Sequence, residues 1–467
     1  MGVPLTRGPS PTRGEKCSRL HVAHDAGRFL SHVRVAALDG LDAALSVRLS
    51  VMMFLQYAII GAWAPVFGPY LKSLSLTYFE TAWIWSAAAI GSVLAPIVWG
   101  QIADRWLAAE KCISLCAIAC GAALWLASHQ EGPWTLFWLF LAFWMFQMPI
   151  HSIGAALTFR HLDHPENQFG PIRKWGTIGW MAIGWIVGAW LARHHLPGNR
   201  LADSLRIGAV AAWTLAIYAF TLPATPPLPP RALPDHHSSW RRRFDAPIRA
   251  IQLFRIPAFA VYCICLFFVY VSWPFNMQMT SLLVKSLDVD SAWLPIVMSI
   301  SQTTEVLTLA LLPRILERFR LKPTMMAGIF SWWAALVVLA IGAPLAIVIP
   351  SLLLHGVYIC CFLIAGQVFV NRIAQHDFRA SSQGLLVLIN GLGQFIGNFL
   401  VAGMREWTDD NYPLAFLPAA IGVGILAVYF TIEFEPPLPS AIETDNVDDH
   451  DRAVRADISE QRTLAGR

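Results

Sequence analysis

Charge is what this sequence has least of. Of its 467 residues, only 14% are Asp, Glu, Lys or Arg, against about 25% in an average soluble protein. Lysine is the scarcest cation, with 6 residues against 28 arginines. In contrast, 56% of the residues are hydrophobic, 20 of them Trp and 27 Phe, and the mean hydropathy is +0.52. A soluble domain this apolar could not cover its surface with polar groups. A cytosolic enzyme, an extracellular disulfide scaffold and a disordered chain are all excluded. Catalytic signatures are missing as well: there is no HExxH helix and no clustered Ser-His-Asp set. The chain therefore reads as a non-enzyme without a cofactor. Polar CxxC pairs with histidine partners are absent, so no metal is expected. Seven of the eight cysteines lie in apolar runs. Cys112, Cys116 and Cys120 share one helix face, as small residues packing against a neighbour do.

What the sequence does have is a succession of apolar runs. A helix that crosses a bilayer needs about 20 apolar residues. Spans are expected at 47–70, 79–101, 109–128, 134–158, 174–194, 205–224, 256–283, 291–313, 324–342, 345–370, 382–404 and 413–434. The expected fold is an all-α membrane protein with twelve transmembrane helices in two six-helix halves. Residues 1–46 form a polar N-terminal tail without the apolar core of a signal peptide, in which Phe29–Leu45 is weakly amphipathic and could lie on the membrane surface. The first half is expected at 47–224 and the second at 256–435, joined by a linker at 225–255. Five of that linker's prolines precede Arg241, Arg242 and Arg243. Residues 436–467 form a charged tail with no apolar stripe, expected to be disordered.

Charge placement orients the spans. With the N-terminus inside, the expected cytoplasmic loops hold 17 Lys and Arg, Arg173 and Lys174 included, and the opposite loops hold 6. This is the positive-inside pattern, with Arg193, Arg200 and Arg206 as its misfit. Both termini are expected in the cytoplasm, in a multi-pass protein of the bacterial inner (plasma) membrane. The surplus of +4 is a topology signal, and no folded basic domain calls for a nucleic-acid partner. The expected surroundings are the lipid bilayer, and the expected state is a monomer. Six spans plus six also imply a binding site near the midplane between the halves.

Gly100-Gln101-Ile102-Ala103-Asp104-Arg105, expected at the loop between spans two and three, resembles the Gly-x-x-x-Asp-Arg loop of the major facilitator superfamily. There glycine permits a tight turn, and Asp and Arg latch helix ends as a gating loop. A plain helix cap would use the same residues.

A charge at a helix centre costs about 2.5–3.5 kcal/mol on insertion scales, so polar groups at membrane depth are the functional candidates. Glu305 is the foremost, near the middle of span eight, with Gln302 three residues before it on the same face. A carboxyl at that depth can exchange a proton as access alternates, or accept hydrogen bonds from a polar solute. An interhelical hydrogen bond from a protonated Glu is the plainer alternative. Arg173, Thr177 and Trp180 follow i, i+4, i+7 spacing at the start of span five. A planar cation, a hydroxyl and an indole on one face suit a flat polar ligand. A topology charge for Arg173 and ordinary packing for Trp180 are the alternatives. Asn276 lies behind Pro274 in span seven, where the proline frees a backbone carbonyl. Gln56, Gln367 and His355 are weaker candidates.

These residues also carry a family resemblance. Pro171-Ile172-Arg173-Lys174-Trp175-Gly176-Thr177-Ile178-Gly179 resembles the span-five signature of the nucleoside:proton symporter family. So do Phe54-Leu55-Gln56 with Gly61-Ala62-Trp63, Met298-Ser299-Ile300-Ser301-Gln302 with Glu305, and Arg379-Ala380-Ser381-Ser382-Gln383-Gly384. The likeness runs over about residues 48–435. It implies proton-coupled nucleoside uptake by alternating access, with Arg173, Thr177, Trp180, Asn276, Gln302 and Glu305 as substrate-binding residues and Glu305 as the proton-coupling group. The chain departs from the family at Trp273, where the pattern has Gln, and in span ten. There the family's Tyr and Phe-Asp align with His355, Ile359 and Cys360. These positions, with Gln56, remain possible substrate contacts. The lost carboxylate leaves open an alternative: a carrier of another small polar solute such as a sugar, base or drug, importing or exporting it.

Overall fold

A computed structural model describes residues 42–105, 107–193, 200–226, 252–342, 344–374 and 379–436. The expected N-terminal surface segment up to residue 41, the linker residues Arg241, Arg242 and Arg243, and the C-terminal tail beyond residue 436 lie outside the described residues. Helices dominate, as they must where lipid offers the backbone no hydrogen bonds. They form rods labelled here in chain order: α1 (Ala43–Ser73), α2 (Tyr78–Arg105), α3 (Ala109–Ala127), α4 (Pro133–Arg160), α5 (Pro165–Arg193), α6 (Arg200–Thr221), α7 (Pro257–Ser286), α8 (Leu294–Phe319), α9 (Leu321–Ile341), α10 (Leu345–Ile373), α11 (Arg379–Trp407) and α12 (Tyr412–Glu433). Among the described residues, eleven of these, all but α2, are long and apolar enough to cross a membrane.

Proline and capping chemistry shape the rods. Asp42 caps α1, its carboxylate accepting from the Ala44 N–H at 3.1 Å. The α-helix of α1 breaks at Ala62 and Trp63 ahead of Pro65, and Trp63 is fully buried among Phe67, Phe140 and Phe143. In α7, Pro274 removes a backbone donor and the chain runs on as a π turn over Phe275–Met279. A second π turn spans Ile359–Ile364 in α10. Such turns are frequent at functional sites, and these two carry Asn276, Ile359 and Cys360.

Two expectations are corrected. Gly100, Asp104 and Arg105 do not form a loop: α2 stays helical to Arg105, since nothing in Gln-Ile-Ala-Asp-Arg breaks a helix. The side chains of these three residues lie outside the described residues. In addition, α5 starts at Pro165, nine residues before the expected span, so Arg173 and Lys174 are helical residues and not loop charges.

The first six rods pack on one another: α1 against α5 and α6, α2 against α4, and α3 between α4 and α6. The last six do likewise, with α7 against α11, α8 against α10 and α9 against α12. Contacts between the two groups gather at the end that carries Ser73, Tyr78, Trp407 and Tyr412. There Phe399 packs on Phe79 and Trp83, and Trp185 Nε1 donates to Ser299 Oγ at 3.0 Å. Deeper in the join, Gln278 Nε2 donates to Asn398 Oδ1 at 2.8 Å, and Asn398 Nδ2 donates to Ser86 Oγ at 3.2 Å. This buried relay ties α7 to α11 and α11 to α2.

An ionic latch closes that end. Lys72 Nζ, at the tip of α1, donates to Asp410 Oδ2 at 2.8 Å and to the Tyr412 hydroxyl at 2.6 Å. Arg405 Nε donates to Asp410 Oδ1 at 2.8 Å, and the Arg405 guanidinium lies over the Tyr78 ring at 4.9 Å. Asp410 is thus shared by a lysine of the first group of rods and an arginine of the second. Burial pushes its carboxyl up, but the hydrogen bonds and charges of Arg405 and Lys72 outweigh that and hold it below the ordinary value. A lowered carboxyl value means the latch is fully present above the ordinary Asp range and is lost only as pH falls through the lowered value. Between about pH 5 and 8 it does not respond to protons. Asp410→Asn should shift the balance toward a state open at this end by about fivefold, the equivalent of about 1 kcal/mol for a partly exposed ion pair. Spin-label distances across the α1–α11 end, measured at pH 5.5 and 7.5, check both statements.

Candidate functional site

The site begins with the π turn of α7. Thr280 Oγ1 lies 2.5 Å from Asn276 Oδ1, a length suited to O–H···O and short for N–H···O. The hydroxyl is therefore the donor, which turns the amide nitrogen toward α10. There Asn276 Nδ2 stands 3.0 Å from His355 Nδ1. Nδ1 must accept, so the imidazole carries its proton on Nε2. An aromatic wall backs this relay. Trp273 packs at 5.1 Å from the His355 ring, and Trp332 stacks on Tyr358 at 4.6 Å. Trp332 Nε1 donates to Ser272 Oγ at 2.8 Å.

Four of the residues singled out in the sequence line one cavity: Trp180 from α5, Asn276 from α7, Gln302 from α8 and His355 from α10. Ser281 and Ser301 add hydroxyls, and Ala64 and Pro65 of α1 close the side. The cavity measures about 80 Å³, about half the roughly 150 Å³ of an apolar cavity that admits benzene. A ligand of nucleoside size needs the helices to part.

Arg173, Thr177 and Glu305 are not among the residues that line this cavity. Arg173 of α5 is the cation that acts on the Glu305 carboxyl of α8. Among the described residues, no salt bridge within 4.0 Å joins them. The Arg173 guanidinium instead lies over the Tyr57 ring of α1, 4.2 Å from its centroid. Tyr57 also packs against His151 of α4 at 4.4 Å. Gln147 Nε2 donates to the Gln56 carbonyl and to His151 Nε2, both at 3.1 Å. Gln56 Oε1, Gln147 Oε1 and His151 Nδ1 are buried without a hydrogen-bond partner, which in a native interior calls for an explanation.

The remaining sequence candidates divide. Thr177 is buried on α5, one turn from Arg173. Gln56 turns into the first group of rods, against Gly154, and does not reach the cavity. Trp273 stands in the wall behind His355. The Cys360 thiol donates to the backbone carbonyl of Glu305 at 3.4 Å, so it fastens α10 to α8 and faces no ligand. Ile359 is half-buried beside it, and Gln367 is exposed near the end of α10. Tyr57, Gln147 and His151 are not among the sequence candidates. Gln147 and His151 are a polar i, i+4 pair inside an apolar run, a signal that could have found them; Tyr57 carries none.

A family model described as nucleoside H+ symporter matches residues 43–438. The xanthosine permease of Escherichia coli (strain K12) is 29% identical over 84% of this chain and 96% of its own length. The nucleoside permease NupG of the same organism is 26% identical over 79% of this chain and 89% of its own. A crystal structure of nucleoside transporter NupG, in a mutant form, superposes with a TM-score of 0.74 at 24% identity, over 84% of this chain and all of that one. A D-xylose-proton symporter shares the fold at 11% identity, with a TM-score of 0.66, over 84% of this chain and 98% of its own. The fold is that of the major facilitator superfamily.

The geometry makes one position intolerant. A Cβ on Gly356 of α10 would press on the Glu305 backbone and stand 2.8 Å from the Ser301 carbonyl oxygen. Gly356→Ala must therefore push α8 off α10, an overpacking that costs about 1–3 kcal/mol. It should lower the thermal midpoint and cut solute uptake about tenfold or more. Gly384→Ala, whose Cβ meets nothing within 4 Å, should leave both unchanged.

Proposed function

The chain belongs to the nucleoside H+ symporter family and is a multi-span membrane transporter for proton-coupled nucleoside uptake, not an enzyme; on that premise we propose that nucleoside binds in the cavity among α5, α7, α8 and α10, with Glu305 as the proton-exchanging group. The observation that carries this is the pairing of the cavity with Arg173 and Glu305. A cation on the first group of rods acts on a carboxyl of the second, outside the lining of a cavity that both groups form and that carries a few polar side chains. Trp180 offers an aromatic face for a base. Asn276, Gln302 and His355 offer donors and acceptors for base and ribose edges. Arg173 and Thr177 lie along α5 below Trp180 and come into reach as the cavity widens.

In this reading the rods of residues 47–224 and those of 256–435 rock against each other as two units. With both termini in the cytoplasm, the latched end of the molecule faces outward and the site is poised toward the inside. Protonated Glu305 permits nucleoside to bind from outside. Release of proton and nucleoside inward restores the carboxylate, which Arg173 then faces. The protein works as a monomer in the bacterial inner membrane, without a nucleic-acid partner.

One observation favours a second reading. Span ten contributes an imidazole and no carboxylate to the cavity, so the Asp of the family pattern, which could bind ribose or take part in proton coupling, has no counterpart here. Another small polar solute could then be the cargo. A thermal-shift panel of uridine, adenosine, xanthosine, free bases and sugars separates the two, because only a bound ligand stabilises the protein.

Labelled uridine, adenosine and xanthosine should accumulate in transport-deficient cells that express the protein, more at acidic than at alkaline external pH, and an uncoupler should abolish accumulation. Glu305→Gln should lose proton-driven accumulation and keep nucleoside exchange. Uptake equal to empty vector would sink the nucleoside reading, and accumulation surviving in Glu305→Gln would remove Glu305 from the coupling step.

A further inference from the structure

Arg173 poses a problem that the transport cycle does not solve by itself. A guanidinium at membrane depth needs compensation, and Glu305 can supply it only while unprotonated. Once the carboxyl takes up a proton, its charge is gone. Among the described residues, no acid, Glu305 included, lies within 4.0 Å of the Arg173 guanidinium nitrogens. What does stay beside it is the Tyr57 ring, 4.2 Å from Cζ, inside the range of about 6 Å over which a cation is drawn to an aromatic face. A ring quadrupole does not change when a carboxyl gains or loses a proton.

We propose that Tyr57 is the positioning residue of Arg173: its ring holds the guanidinium toward the join between the two groups of rods in both protonation states of Glu305. The ring is itself built in. His151 packs on it at 4.4 Å and 49°. Gln147 fixes His151 by donating to its Nε2, and anchors the pair to α1 through the Gln56 carbonyl. On the other side Gly176 leaves no slack, since a Cβ there would stand 2.6 Å from Tyr57 Cδ2 and 3.1 Å from an Arg173 terminal nitrogen. The contact with Arg173 is made by the ring, so the ring and not the hydroxyl carries the function.

The consequence for transport rests on the reading that Arg173 contacts the nucleoside, so the test has an arm that needs no nucleoside. Arg173 in the purified full-length protein is labelled with phenylglyoxal, and its modification rate is followed by mass spectrometry. Tyr57→Phe should match wild type. Tyr57→Leu and Tyr57→Met should raise the rate about fivefold or more, with unchanged modification of Arg314 as an internal control for folding. In parallel, uridine uptake should show KM raised about fivefold in Tyr57→Leu, with the maximal rate within about twofold of wild type, and restored by Tyr57→Phe. Raised modification with an unmoved KM would keep the positioning role and overturn substrate contact by Arg173. An unchanged modification rate in both the Leu and Met variants would overturn the proposal.

Discussion

Two charges of opposite sign, brought together across the join of the two groups of rods, are the constraint from which the rest of the site follows. Arg173 belongs to α5 and Glu305 to α8. Each would be costly alone in an apolar medium, so the surrounding helices are arranged to keep them near each other without fusing them into a closed ion pair. The Tyr57 ring takes one side of the guanidinium. On the other side, Cys360 and Gly356 fasten α10 to the α8 backbone at Glu305 itself. A tight buried ion pair would be strongly favoured in one state and expensive to open. The looser arrangement seen here is the one that the proposed proton exchange at Glu305 calls for.

The charges elsewhere serve a different purpose. Lys72, Asp410 and Arg405 form a partly exposed ionic cluster with contacts of 2.8 Å, and its carboxylate stays ionised through the physiological range. It joins the two groups of rods without sensing protons. Neutral relays add to this: Gln278 through Asn398 to Ser86 crosses the join, and Thr280 through Asn276 to His355 ties α7 to α10 within the second group. Each places an amide where one side chain can satisfy two neighbours, which is how a polar group is tolerated in an interior. The two charged clusters are thereby separated: Lys72, Asp410 and Arg405 lie at one end of the rods, and Arg173 and Glu305 lie within them.

Much of this is legible in the sequence because charge is rare in it. Glu305 stands out as a carboxyl in the middle of an apolar run, and Asn276 stands out behind Pro274. Arg173 is visible too, but the pattern puts it at the membrane edge, since the apolar run begins after it. The helix begins at Pro165, and that earlier start carries Arg173 inward to Tyr57. The motif at Gly100 suggests a turn, although a glycine inside α2 only lowers helix propensity and does not end the helix. Tyr57 leaves no trace, because one aromatic among many gives no contrast. Gln56 points to the site as a polar residue within a span and Cys360 by its alignment with the family pattern, whereas their side chains turn to Gly154 and to the Glu305 carbonyl.

The sequence by itself determined the class of the protein: low charge, apolar runs of about 20 residues and the distribution of arginine require a bundle of membrane-spanning helices, since only helices and closed β-barrels satisfy the backbone in lipid and a barrel strand is about 10 residues of alternating pattern. It also determined the short list of polar groups from which a mechanism can be built. Only the tertiary structure decided which of them meet. Helix rotation and packing bring Trp180, Asn276, Gln302 and His355 to one cavity from four different rods, and turn Cys360 and Gln56 away from it. Those partners lie on separate rods, far apart in the chain, and local pattern carries no information about contacts that are made only when helices pack face to face.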